Sequence, residues 1–544
     1  MVSARPSLPP CDLPPMTSTP ARKPNKWLVT VSITFGTLMG AIDASIVNVA
    51  MPHLRGAVGA TLQEITWIST GFVIATVLVM PLTAFLGRQF GQKRVYLACL
   101  VLFVIGSALC GMARSLWTLV FFRALQGLGA GALQPTEQAI LRQTFPPEEQ
   151  GTAMALFGMA VMLGPAVGPT LGGWIVDNYD WPWIFYINVP VGILGFFMVT
   201  SFVQEDEQIR EANRATAELE RKHMDWAGIG LMSTGLASLQ YFLEEGAADD
   251  WFESRTITTV FCIAIIALIG FVWRELTATA PVVNLRLFKD KVFLSGTLIS
   301  SLMFAMLMTS MFLLPVFMEE MLGFTATQAG MALIPRVLVM MVISPMVGKM
   351  YGRVPTRLLV ACGVLFFCAG AWLQRGFTLE TTQSGIVAAI CMQGVGFACL
   401  FVPLTATSLA SIPRHLMTDA TGLNSLLRQM GGSIGLAVFA TLLGRYGIQA
   451  KASIAAHLDP TRPAVAQRLA QLERAGMLQG LDPTHAHTRA VAMLGGIATR
   501  QGMVLAFEKV FLLAGLLFLL VLVLLPFLKT VAPQVGRKIE VHLE

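Results

Sequence analysis

The sequence predicts an all-α polytopic membrane protein whose helices fall into two bundles, and three observations predict it. Hydrophobic residues make up 55% of the 544 and charged residues only 13%, giving a mean hydropathy of +0.66, far from a soluble domain. The apolar residues gather into about fourteen blocks, each near the ~20 residues that cross the hydrocarbon of a bilayer. A charged connector at 204–226 parts the first six blocks from the rest.

In order, the blocks lie at about 27–50, 64–87, 95–113, 117–140, 151–175, 183–203, 227–243, 256–273, 292–317, 328–349, 357–375, 383–410, 422–446 and 504–528. The first six form an N-terminal bundle at 27–203, and 227–273 supplies two extra spans. Residues 274–528 hold a C-terminal six-helix bundle, interrupted by a polar segment at 447–502 that is too long for an ordinary hairpin connection. The Pro-rich residues 1–26 read as a disordered cytoplasmic tail and 529–544 as a cytoplasmic C-terminal tail; no short apolar region with a cleavage site precedes block one. The connector reads as a soluble hinge between the halves, with weak support for a short exposed helix.

The net charge of +6 and the isoelectric point near 8.9 do not point to nucleic acid, because of where the cations lie. With a cytoplasmic N-terminus, about 23 Lys and Arg fall in cytoplasmic segments and about four in the short outer loops, which is the positive-inside bias. The eight cysteines fall almost entirely inside apolar blocks without a CxxC pair, so they read as small core residues. His485 and His487 sit close together, but two ligands do not make a metal site and no metal is expected. An integral-membrane enzyme is disfavoured, since neither H-E-x-x-H nor a G-x-S-x-G with partners occurs.

Block five is the stretch around which the chain is organised. From Phe157 to Trp174 it carries no charge, and Gly164, Gly168 and Gly172 recur every four residues, so they stack on one helix face and admit a neighbouring backbone. Pro165 and Pro169 each remove a backbone donor. A bent, glycine-faced helix of this kind reads as a packing seam between moving parts, or as an ordinary packing groove.

Charges inside the blocks are expensive and therefore informative. Asp43 in block one costs about 2.5–3.5 kcal/mol on insertion scales, so it should face a polar cavity or a partner, as a functional group or an interhelical anchor. Arg123 in block four is permanently charged and should look into an aqueous cavity, where it can hold an anion or tune a nearby carboxylate. Its neighbours, Gln126-Gly127-Leu128-Gly129, resemble a phosphate-cradling loop only superficially, because no strand precedes them and no Lys-Ser/Thr follows. Arg336 and Arg428 are further intramembrane cations with no obvious partner in sequence. Asn48, Gln126, Arg336 and Arg428 are the candidate lining of a substrate cavity. Between blocks two and three, the turn holding Arg88, Gly91, Lys93 and Arg94 can tie helix ends together, although topology alone also places cations there.

The second half parallels the first, as transporter repeats do. Gln393-Gly394-Val395-Gly396 with Pro403 matches Gln126-Gly127-Leu128-Gly129 with Pro135. Pro345 to Arg357 matches Pro81 to Arg94, and Gly431, Gly432 and Gly435 stand where Gly164 and Gly168 stand.

Taken together, these stretches resemble the Major Facilitator Superfamily. Gly158 and Gly164-Pro165 to Gly172-Gly173 resemble its antiporter motif, Arg123 to Gly129 its fourth-helix motif, and Ala84 to Arg94 its loop motif. Asp43 to Pro52 and Asp177 to Gly192 look like the fourteen-span drug:proton antiporter branch. The resemblance runs from about residue 27 to 528. It implies the major facilitator fold: two six-helix bundles plus two extra helices, 14 transmembrane helices in all. It also implies alternating-access export of hydrophobic drugs from the inner membrane in exchange for protons, driven by the proton motive force with no cofactor. The resemblance to the exporters of this branch that work in tripartite systems implies a periplasmic adaptor (membrane fusion) protein and a TolC-type outer-membrane channel as partners, with the 447–502 segment as a docking surface. On an alternating-access mechanism Asp43 is the first candidate for proton-linked function and Arg123 for tuning it, while the Gly164–Gly173 helix seals the path against proton leak. The chain departs from the loop motif at Ala84 and Arg88, where Gly and Asp are usual, so an Asp-centred latch is not carried over. Arg336 stands where a small or apolar residue is usual, which suggests a particular substrate preference. A nutrient-importing symporter of the same fold is the nearest rival.

Overall fold

The computed structural model describes residues 25–205, 211, 217, 218, 224–278, 281–459 and 461–528. The two tails, and most of the charged connector expected to act as a hinge, lie outside the described residues.

The first half comprises α1 (Lys26–Val58), α2 (Trp67–Val79), α3 (Leu82–Phe90), α4 (Gln92–Gly111), α5 (Leu116–Thr144), α6 (Gln150–Asn178) and α7 (Asn188–Phe202). Two further helices follow, α8 (Trp226–Glu245) and α9 (Arg255–Thr277). The second half holds α10 (Lys291–Val316), α11 (Ala326–Met350), α12 (Thr356–Arg375), α13 (Gln383–Ser408), α14 (Met417–Ala455), α15 (Pro463–Leu478) and α16 (Pro483–Leu524). Polar caps start many of them by accepting otherwise orphaned amides. Asn25, Ser115, Asp225, Asp290 and Asp482 cap α1, α5, α8, α10 and α16, and Thr325 with Gln328 makes a capping box on α11.

Among the described residues, twelve helices are long and apolar enough to cross a membrane, and α2 with α3 makes a thirteenth span bent by 55° beside Pro81. The remaining predicted span is α8, a 20-residue helix whose far end carries Gln240, Glu244 and Glu245. It lies between the halves, against α2 and α14. Tyr241 stacks on Trp67 at 5.5 Å, Glu245 accepts from Thr66 and Thr70, and Gln240 donates to Ser433 at 2.9 Å.

The segment at 447–502, read as polar loop, is helical. α14 runs 39 residues and α16 runs 42, or about 58 and 63 Å at 1.5 Å per residue, twice the ~30 Å of hydrocarbon. Their extensions are completed by α15, which packs on α16. Ala, Leu, Gln, Arg and Glu dominate α15 and are good helix formers, so a polar composition did not mean an irregular one. His485 pairs with Asp482 and His487 with Glu473 inside this hairpin.

The halves meet along α6 and α11, which run side by side for their full length. At the end where α1 begins, the near end, Gly151 and Gly348 touch backbone to backbone; further along, Gly330 meets Pro169; at the far end Gly173 meets Thr327. The ridge of Gly164, Gly168 and Gly172 faces elsewhere. It packs on Ala41, Ser45 and Ile46 of α1. The seam expected of those three glycines is therefore internal to the first half, and the boundary between halves uses the other small residues of α6, including Gly158, which lies against Phe401.

Candidate functional site

Asp43 sits at mid-span of α1, fully buried, and four helices converge on it. Arg123 of α5 donates from Nη1 to Asp43 Oδ2 at 2.5 Å and to Gln126 Oε1 at 2.7 Å. Gln126 Nε2 donates to Asp43 Oδ1 at 2.8 Å, and Asn188 Nδ2 of α7 donates to the same oxygen at 2.9 Å. Ser107 of α4 accepts from both amides, at 3.2 and 3.0 Å. Arg123 Nε reaches the Ile68 carbonyl at 3.3 Å, and its guanidinium lies 4.1 Å from the Phe72 ring centroid. A buried carboxylate is tolerable only when paired and hydrogen-bonded, and this one is both.

The spacing Arg123–Gln126 places both side chains on one helix face, so one turn of α5 presents a cation and an amide to α1. Gln126, expected in the substrate cavity, is committed instead to this network. Asn188 and Ser107 escaped the sequence reading. Asn188 had a signal, as an amide opening an apolar helix, but a serine at position 107 looks like any small packing residue.

A parallel network occupies the second half without its acid. Gln393, at the position matching Gln126, accepts from Arg336 Nη2 at 2.7 Å, and Ser310 of α10 accepts from the same nitrogen at 2.8 Å. Gln374 of α12 exchanges a bond with Gln393 at 3.0 Å. Arg336, without an evident partner in sequence, therefore has two, but neither is charged. A small cavity here is lined by Ser310, Gln374 and Gln393 together with Phe367 and Phe511.

The other candidates are dispersed. Asn48 is exposed on α1 and accepts from Ser69 at 3.3 Å. Arg428 is buried at the boundary of the halves among Phe157, Phe304 and Phe401, with ring centroids at 5.7, 5.1 and 5.8 Å.

At the near end Arg88 crosses the boundary, Nη1 to Asp419 Oδ1 of α14 at 2.5 Å, and Gln92 donates to Thr418 at 2.6 Å. A latch exists, with the cation on the first half and the acid on the second. Gly91 has φ +90° and leaves room for the Glu205 carboxyl, which a Cβ would strike; Lys93 donates to the Thr200 carbonyl at 2.8 Å, while Arg94 is exposed.

Two helix bundles related by sequence, a buried ionic network in one, and a polar latch across their boundary define a membrane transporter rather than an enzyme. The family model for the Major Facilitator Superfamily matches residues 33–436, and the chain belongs to that family. The multidrug export protein EmrB of Haemophilus influenzae is 32% identical over 504 residues, covering 92% of this chain and 95% of its own. The fatty acid resistance protein FarB of Neisseria gonorrhoeae is 33% identical over 494 residues, covering 91% and 94%. Among solved structures, the human organic anion transporter MFSD10 superposes with a TM-score of 0.56 at 14% identity, covering 91% of this chain and 100% of that one; it shows the shared fold.

Proposed function

We propose that this chain exports hydrophobic and amphipathic toxic compounds across the inner membrane in exchange for protons, with both termini cytoplasmic and the near end facing the cytoplasm. The observation that carries the reading is Asp43, a mid-span carboxylate that joins α1, α4, α5 and α7 through a single network. Protonation of Asp43 removes the charge that holds Arg123, and the donors of Gln126 and Asn188 lose an anionic acceptor. The network then relaxes, and α1 shifts against α6 along the Gly164–Gly172 ridge. Because α6 also makes the boundary with α11, a shift of α1 is transmitted to the tilt between halves. One proton crossing about 100 mV and one pH unit supplies about 3.7 kcal/mol, which sustains a several-hundredfold drug gradient.

The names of the relatives support export of toxic compounds, and their near-complete coverage supports a shared working unit. By the same relatedness, the chain serves as the permease of a tripartite system with a periplasmic adaptor and a TolC-type channel. The helical hairpin at 447–502 is the surface on which an adaptor docks. Everted vesicles given a hydrophobic dye from outside, where their cytoplasmic face lies, test the reading. Energised transport that an uncoupler abolishes supports it, and transport indifferent to the uncoupler overturns it.

A further inference from the structure

Arg428 lies at the boundary between halves, fully buried, with Nη2 on Ser425 at 3.3 Å while Nε and Nη1 have no hydrogen-bond partner. No ion pair to it exists among the described residues. Its surroundings are three aromatic faces, Phe304 and Phe401 from its own half and Phe157 from the other. Aromatic faces attract a cation but accept no directed N–H bond in place of an oxygen, so the guanidinium keeps two unanswered donors.

The polar groups nearby are unanswered too. One helical turn toward the near end, Ser300, Thr405 and Asn424 follow Phe304, Phe401 and Arg428 on α10, α13 and α14. α13 runs opposite to α10 and α14, so 405 lies on the same side as 300 and 424. All three are buried, and the Ser300 and Thr405 hydroxyls and both side-chain atoms of Asn424 lack partners. Native interiors leave few such groups, and here four polar atoms on three adjacent helices, one turn from the cation, are ones that a bound polar group would answer.

We infer that Arg428, with Asn424 below it and the phenylalanine cage around it, binds the anionic head of an exported amphiphile, the carboxylate on Nε and Nη1 and the apolar body among the rings. Phe157 is the only one of the three rings contributed by the first half. Parting of the near ends withdraws it and opens the guanidinium toward the cytoplasm, and closure by the Arg88–Asp419 latch reseats it. A guanidinium presents parallel donors to a carboxylate and is permanently charged, so the site selects anions over cations of equal length. The inference rests on the export reading above and adds the substrate's charge to it.

The test uses the full chain in phosphatidylcholine nanodiscs, with dodecanoate and dodecyltrimethylammonium as probes of equal tail. Wild type is expected to bind dodecanoate at least tenfold more tightly. Arg428→Gln removes that preference, and Arg428→Lys retains part of it, with melting profiles checking that each variant is folded. No preference in wild type, or one that survives in Arg428→Gln, overturns the inference. So does binding of phosphatidylglycerol without binding of dodecanoate, which would assign the site to a resident lipid. Uncoupler-sensitive efflux of an uncharged dye by the wild-type chain, measured in parallel, reports on the export reading alone, so its loss overturns that reading and not the charge preference.

Discussion

Arg88 and Asp419 meet across the boundary of the two halves, Nη1 to Oδ1 at 2.5 Å, with both side chains nearly excluded from water. The pair closes the near end, so it should bias the conformational equilibrium more than it stabilises either bundle. Removing one partner of a buried charge pair costs about 2–5 kcal/mol, mostly by stranding the other. Asp419→Asn is expected to shift the population toward near-end-open states by at least about tenfold, read as spin-label distances between the near ends of α3 and α14. The double reversal Arg88→Asp with Asp419→Arg should restore much of the closed distance.

The two intramembrane arginines of the paired networks should behave oppositely. Arg123→Met strands Asp43 and is expected to destabilise by about 3–5 kcal/mol. Arg336→Met removes a cation that has no acid and leaves Gln393 bonded to Ser310 and Gln374, so stability should change little or rise. Melting temperatures of the two variants in one detergent decide the point.

Gly164 admits α1 so closely that an added Cβ would lie 2.3 Å from Ala41 Cβ and 2.5 Å from its carbonyl carbon. Backbone cannot swing aside as a flexible side chain can. Gly164→Ala is expected to cost about 1–3 kcal/mol through overpacking, seen as a lowered melting temperature.

Asp225 caps α8 through the Gly228 amide and pairs with Arg274 of α9. Burial pushes its carboxyl up, but the Arg274 and amide bonds outweigh it, and the net position is below the ordinary value. A depressed carboxyl stabilises the fold above its unfolded value, near pH 4, and that contribution is lost as pH falls through the folded value. Asp225→Ala should therefore lower the melting temperature near neutral pH, at a cost of about 1 kcal/mol, and the gap to wild type should shrink below pH 4.

The helices and their division into halves were legible in sequence because bilayer thickness fixes the length of an apolar block and charge marks its ends. Asp43 and Arg123 stood out for the same reason, since an ion in hydrocarbon must be answered. Their answering groups were less visible. Asn188 and Ser107 reach Asp43 only because α4 and α7 are brought beside α1, a proximity that no local pattern encodes. Block five showed its glycines plainly but not which neighbour each would meet. Composition also misled at 447–502, where polarity marks emergence from the membrane while helix propensity continues.

The most direct measurement is uphill transport by Asp43→Asn in proteoliposomes under an imposed pH gradient. Asparagine keeps the shape of the side chain and removes the ionisable group, but it strands the buried Arg123, so the melting temperature of the variant is measured alongside to show that it is folded. Wild type is expected to accumulate a hydrophobic dye against its gradient, whereas the variant loses accumulation and still equilibrates the dye downhill. Accumulation at the wild-type level by Asp43→Asn would contradict the proton-linked role of Asp43.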